Sequence, residues 1–294
     1  MKRLLIYISL AAAITACKKD GNPHNLPDVS PGNYAGKIDG YSSSDEVYAA
    51  ALVAYWPFDG SKNEKISGTA PTASAGDAYV DGGVLGKALS LNAGYVYYAT
   101  QFPAFKTDAL KSFTVSQWVQ ILNNGSKKTM LVQLARPGIF NGNINVVLET
   151  NRYPATELEK LTIHPTFTAA NNGMQDNLNT ANGSFPFLSP KIGMTKWTHI
   201  VVTYDGVNNN IQIWADGVRV GVPAFQNRGA NFFKSHEPNE VIIGGNYNTI
   251  PGKTVNADVS FAPMTGNIDE VRIYNACLTD AHIKALYKLG LEKK

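Results

Sequence analysis

Cysteine is almost absent: Cys17 and Cys277 are the only two in 294 residues. With Cys17 consumed at the N-terminus, as argued below, Cys277 has no partner. An intramolecular disulfide and a thiolate zinc site are therefore both excluded. Cys277 reads as a small buried hydrophobe rather than a reactive thiol. Blocks of like charge are missing as well. A formal net charge of +3, dispersed along the chain, excludes a nucleic-acid partner. There is no internal repeat of solenoid period. Motifs that would announce chemistry are also lacking: no serine nucleophile elbow, no P-loop and no HExxH. What the chain does hold is 26 glycines, 15 prolines and many aromatics, a composition of strands and turns.

The N-terminus has the form of an export signal. Lys2 and Arg3 precede an apolar run from Leu4 to Ala16, which is short for a bilayer span and fits the core of a secretory signal. Ile14-Thr15-Ala16-Cys17 resembles a bacterial lipobox, in which small residues before the cysteine admit a signal peptidase and Cys17 takes the lipid. An ordinary cleaved signal with a coincidental cysteine is the alternative. Lys18-Lys19-Asp20 is similar to the charged export tags of surface lipoproteins in the Bacteroidota. These residues predict a lipoprotein signal peptide over 1–16 and a flexible tether over 17–46. The tether is rich in Pro, Gly, Ser and Asn. A single folded domain is expected over 47–294. The protein is then lipid-anchored in the outer membrane, on the cell surface or the periplasmic face, and meets the membrane only through its lipid.

Within the domain, short apolar runs alternate with turn residues, as in FTVSQWVQIL before Asn123-Asn124-Gly125 and TMLVQLA before Pro137-Gly138. Such spacing predicts an antiparallel sandwich. The stretch WTHIVVTYDGVNNNIQIWADGVRVG, from Trp197 to Gly221, concentrates two tryptophans, a histidine and two aspartates. Its alternation makes it a strand with apolar residues on both sides, and Asp216-Gly217 is the pair a type I′ hairpin favours. His199, Trp197 and Trp214 are read as scaffold, not as a site. Only LTDAHIKALYKLG reads as helix, with Thr279 as N-cap and Ile283, Leu286 and Tyr287 on one face.

Five segments in order, LVAYWPFDG, GKALSLNAGYVYY, SFTVSQWVQ, KWTHIVVTYDGVNNNIQIWADGVRVG and GNIDEVRIYNACLTDAHIKALY, resemble a bacterial laminin G-like domain. The resemblance covers about Leu52 to Tyr287. It implies an all-β, concanavalin A-like jelly-roll sandwich of two antiparallel sheets with a short C-terminal helix. Relatives of this fold include glucanases whose acids lie on one strand as E-x-D-x-x-E or E-x-D-x-E, about 5–5.5 Å apart. No such motif, no lyase-like Q-x-H and no sialidase Asp-box occurs here. Glu157 and Glu159 lack the central Asp, and Asp269-Glu270 would face opposite ways on a strand. The resemblance further implies a structural calcium ion, for which Asp59, Asn63 and Asp269 are the candidate ligands. Asn63-Glu64 stands where the family usually has Asp.

Two irregular stretches, Arg136 to Lys191 and Ala224 to Glu240, depart from a compact member and are expected to be loops that bind or that cover sheet edges. A sugar is gripped by an aromatic ring under its C–H face and by planar amide or guanidinium groups at its hydroxyls. Asn141, Arg152, Tyr153, Phe185, Phe187 and Phe232 supply both kinds of group from these loops, with Tyr97 and Tyr247 at adjoining strand ends. The leading expectation is a non-catalytic carbohydrate-binding lipoprotein whose partner is a glycan and which serves a polysaccharide-uptake system. The alternatives are an envelope interaction module with protein partners, and a hydrolase or lyase whose site the linear pattern does not show.

Overall fold

The computed structural model describes residues 35–180 and 185–294. The chain divides into two units at 37/38. The signal peptide, Cys17 and most of the expected tether lie outside the described residues. The second unit, Ile38–Lys294, is a β-sandwich.

Its first layer contains β1 (Leu52–Trp56), β4 (Phe113–Gln120), β9 (Thr198–Asp205), β10 (Asn210–Ala215) and β11 (Val218–Arg219). The second contains β2 (Ala73–Asp81), β3 (Lys87–Tyr98), β5 (Lys128–Arg136), β6 (Ile139–Leu148), β7 (Thr166–Thr168), β8 (Met174–Asp176), β12 (Glu240–Ile243) and β13 (Phe261–Ala262). β14 (Met264–Tyr274) joins them: its first half pairs with β3 and its second with β1, so the hydrogen-bonded sheet curls round a corner. The register shifts between Asp269 and Arg272, where Glu270 takes φ 52°. A bulge there turns the strand. Apart from the parallel β13–β5 contact, the pairings are antiparallel.

Alternation explains the core. Val96, Tyr98, Val132, Leu134, Ile144 and Val146 meet Val115, Ile200, Val202, Ile211 and Ile273 between the layers. The first layer is apolar on its outer face too, because the helix α1 (Asp280–Leu291) covers it with Ile283, Leu286 and Leu289 against Val201, Trp214 and Tyr274. Thr279 caps α1 by accepting from the His282 N–H, as its sequence predicts. Asp216 and Gly217 both take positive φ, 48° and 73°, as the type I′ turn requires.

Two boundaries need correction. Residues 38–46, assigned to the tether, are folded on the sandwich. Ser44 is buried with its N–H on the Lys294 carbonyl, and Asp45 pairs with the buried Arg272. Trp197 precedes β9 instead of opening it, and is half-buried with its indole N–H on the Gly82 carbonyl, 3.1 Å away. His199 is buried as scaffold: its Nε2 lies 2.8 Å from Ser116 Oγ and its ring stacks on Trp118. Burial, with the nearby Arg272 charge, holds it down to about 3 and thus neutral. Cys277 is half-buried and has no disulfide.

A cleft at the end of the second layer

The outer face of the second layer carries a row across six strands, with Tyr97, Ile242, Gln133, Asn145, Thr166 and Asp176 in successive register. Its middle is closed. The segment after β12 lays Tyr247 and Ile250 against Tyr95, Tyr97 and Ile242. Lys253 Nζ stands 5.2 Å over the Tyr97 ring and 5.8 Å over the Tyr247 ring. Tyr97 and Tyr247 are therefore core of a small third cluster and offer no open ring to a ligand.

Three other expected residues are separated by the fold. Asn141 is half-buried near the start of β6, and the strand carries the chain about 23 Å away before Arg152 is reached. Phe185 lines a cavity of about 320 Å³ with Val222 and Pro223. Phe232, 52% exposed, borders another of about 580 Å³ with Leu110, Lys111, Tyr204 and Lys234.

Arg152, Tyr153 and Phe187 remain: the two rings come together, while the Arg152 side chain turns to Glu149. Tyr153 and Phe187 are half-exposed rings stacked at 6.2 Å with 18° between their planes. The Tyr153 loop is one wall of a cleft of about 520 Å³ lined by Asn123, Asn124, Ser126, Lys127, Thr129, Ala155, Met194 and Thr265. Tyr153 and Pro154 are the neighbours that a side chain at Gly125 would meet. Asn124 anchors the opposite loop: its Oδ1 accepts from the Ser126 and Lys127 N–H groups, and its Nδ2 donates to Thr150 Oγ1. Asn123, 1% exposed, donates through Nδ2 to the Glu157 and Lys160 carbonyls, while its buried Oδ1 has no donor among the described residues.

Beside this cleft stands an ionic cluster that the sequence reading missed. His164 Nδ1 lies 2.8 Å from Glu149 Oε1 and its Nε2 lies 2.9 Å from Asp176 Oδ2. Burial alone would lower the imidazole, but the two carboxylates more than offset it and hold His164 up to about 9. Arg152 Nε contacts Glu149 Oε2, Lys128 Nζ is 4.0 Å from Oε1, and Arg228 is 3.7 Å from Asp176. Burial would raise Glu149, yet His164 and Arg152 keep it below its ordinary value; the His164 hydrogen bond likewise lowers Asp176. Both carboxylates are thus ionised, and neither is the protonated acid that glycoside hydrolysis requires. Glu157 and Glu159 pair with Lys160 and Lys191 instead of with a reacting group. In the sequence, Glu149 shows only as the charge ending an apolar run, and His164 as a lone histidine in TIHPTF.

The calcium ligands are only partly assembled. Asp59 Oδ1 accepts from the Lys87 N–H and Asp269 Oδ2 from the Val84 N–H, so two aspartates brace one turn. Burial, then the adjacent Glu270 charge, pushes Asp269 up to about 9. Asn63 stays exposed in another turn, its N–H on Ser61 Oγ. The buried Glu64 gives both carboxylate oxygens to its own loop, at the N–H groups of Tyr55, Ile66 and Ser67. Calcium takes six to eight oxygens. Among the described residues no group of three or more His, Cys, Asp or Glu side chains is placed to hold a metal ion, and no cation role is derived.

A laminin G family model, described as the concanavalin A-like lectin/glucanases superfamily, matches residues 92–284. The chain belongs to this superfamily. No curated protein matches it. Among solved structures it is similar to domain 4 of AbnA, an extracellular arabinanase from Geobacillus stearothermophilus, in complex with arabinotriose. That likeness has 19% identity, covers 80% of this chain and 97% of that one, and has a TM-score of 0.51. It is also similar to the binding domain of Paraclostridial Mosquitocidal Protein 1, at 16% identity and a TM-score of 0.50, covering 81% of this chain and 52% of that one. The botulinum neurotoxin serotype G binding domain matches at 14% identity and a TM-score of 0.51, with 81% and 50% covered. The chain spans about half the length of the two toxin domains. At these identities the likeness is one of fold.

Proposed function

We propose that the protein is a non-catalytic, cell-surface carbohydrate-binding lipoprotein whose glycan lies in the Asn123–Tyr153–Phe187 cleft. One observation carries the reading: a cleft lined by Asn123, Asn124, Ser126 and Thr129 together with Leu122, Ala262 and Pro263 lies against the loop that bears the half-exposed Tyr153–Phe187 ring pair. Lys160 Nζ stands 5.6 Å over the Tyr153 ring, so the half-exposed Phe187, stacked on Tyr153, is the ring of the pair that the apolar face of a pyranose meets. A structural neighbour in complex with arabinotriose supports the same reading. The lipobox supports an anchor at Cys17, and a polysaccharide-uptake role follows if the glycan is handed to an importer. A glycan array on the full chain tests the function: binding to at least one polysaccharide family is expected, and a blank array across host, plant and microbial glycans contradicts it. Cys17→Ala is expected to abolish lipid labelling and release the protein from membranes; continued acylation contradicts the anchor.

One observation favours an envelope protein partner as the second reading. Phe232 stands exposed over a cleft floored by Leu110 and Phe233, a shape suited to an apolar side chain of another protein. A blank glycan array together with Phe232→Ala-sensitive cross-linking to an envelope protein selects that reading.

A further inference from the structure

We infer that the glycan held at this cleft is acidic, and that the Arg152 guanidinium binds its uronate carboxylate or sulfate. The inference rests on the glycan-binding reading above and names the ligand class. It begins with proton counting. A neutral imidazole has one N–H and one acceptor nitrogen, so a histidine with carboxylate oxygens at both nitrogens carries both protons and a positive charge. His164 is such a residue. The charges facing the cluster from neighbouring elements are then the cations Lys127, Lys128, Arg152, His164 and Arg228 and the anions Glu149, Asp176 and Asp258. Positive charge is in excess on a surface that borders the cleft.

Arg152 is the member best placed to use it. Glu149, whose side chain is 5% exposed, grips the Nε side of a guanidinium that is itself 45% exposed. The carboxylate is locked in turn by His164. Among the described residues Glu149 is the one ion-pair partner of Arg152 and takes its Nε side, which leaves the Nη edge for a second anion, and a planar carboxylate or a sulfate fits such an edge with two parallel hydrogen bonds. The segment bearing Arg152 is hydrogen-bonded to the cleft wall, with the Asn124 and Gly125 N–H groups both on the Thr150 carbonyl. Tyr153 follows at once in sequence, so the ring on which Phe187 stacks and the fork for the acid lie on adjacent residues. A neutral glycan would use the amides and the ring and leave this cation solvated.

The test is calorimetric titration of the full chain, at physiological salt, with matched polymers. Polygalacturonate, alginate and hyaluronan are each paired with their carboxyl-reduced forms, and chondroitin sulfate with its desulfated form. At least one acidic polymer is expected to bind roughly tenfold or more tightly than its neutral counterpart. Whether reduction or desulfation removes the preference distinguishes a uronate from a sulfate. Arg152→Gln is expected to abolish the preference, and Arg152→Lys to restore only part of it, since lysine keeps the charge without the fork. Tyr153→Ala should weaken acidic and neutral binding alike. Neutral forms that bind as well as acidic ones, or a preference that survives Arg152→Gln at unchanged melting temperature, overturn the inference and leave glycan binding standing. Failure of every polymer, neutral ones included, overturns the inference, and a blank glycan array in addition overturns the glycan-binding reading.

Discussion

Trp197 and Trp214 share one apolar stretch, yet the structure places them differently. Alternation predicts both as core, but β9 begins one residue after Trp197 and leaves its ring at the rim. Trp214 is 3% exposed beneath α1. Trp214→Ala is accordingly expected to cost about 3–5 kcal/mol, and Trp197→Ala about 1 kcal/mol, near the middle of ordinary substitutions. Denaturant melts of the two variants check the order, and equal losses would contradict it. His164 gives a pH-dependent counterpart. Its folded value, up to about 9, stands above the ordinary 6.5, so its contribution is full below about 6.5 and is lost as pH rises through about 9. Stability of the wild type should fall between those values, and His164→Gln should flatten that fall; an unchanged slope in the variant would show that the histidine is not charged in the fold.

Elements were legible where a local rule governs them. The turn at Asp216-Gly217 follows from a dipeptide preference and α1 from one capped periodic run, so neither needs tertiary information. The short strands β7, β8 and β13 have two or three residues each and exist only because β6, β7 and β5 respectively offer them an edge. No period can show in so few residues. The segment from Tyr247 to Lys253 was likewise illegible as a cover, because its apolar residues make sense only once the face of Tyr95 and Tyr97 is known. The turn itself can be tested. A Cβ at Gly217 would sit in the left-handed region, at φ 73°, and 2.9 Å from the Tyr287 ring. Gly217→Ala is expected to cost at least about 1–2 kcal/mol and to lower the melting temperature. No change in a thermal scan would mean that the hairpin and α1 are not held together there.

Across the whole molecule, the domain and its family were readable from five ordered segments, while the N-terminal boundary was not. Composition marks 17–46 as tether, but Ile38 to Glu46 are fixed by individual contacts that composition does not record: Asp39 to Lys288, Asp45 to Arg272, Ser44 to the Lys294 carbonyl, and Ile38 and Tyr41 against the apolar cluster under α1. Limited proteolysis is expected to leave a core beginning near Ile38; cleavage between Ile38 and Glu46 would restore the longer tether. The site was half legible for a related reason. Tyr153 and Phe187 stand out as aromatics in polar loops, whereas Asn123 and Asn124 read only as the turn ending β4, since the cleft around them is gathered from segments far apart in sequence. The most direct measurement is a titration of the strongest polysaccharide from the array into wild-type protein, Tyr153→Ala and Phe187→Ala, with a melting curve for each. Both variants are expected to lose at least about tenfold in affinity at nearly unchanged melting temperature. Wild-type affinity in both folded variants would contradict the placement of the glycan in this cleft.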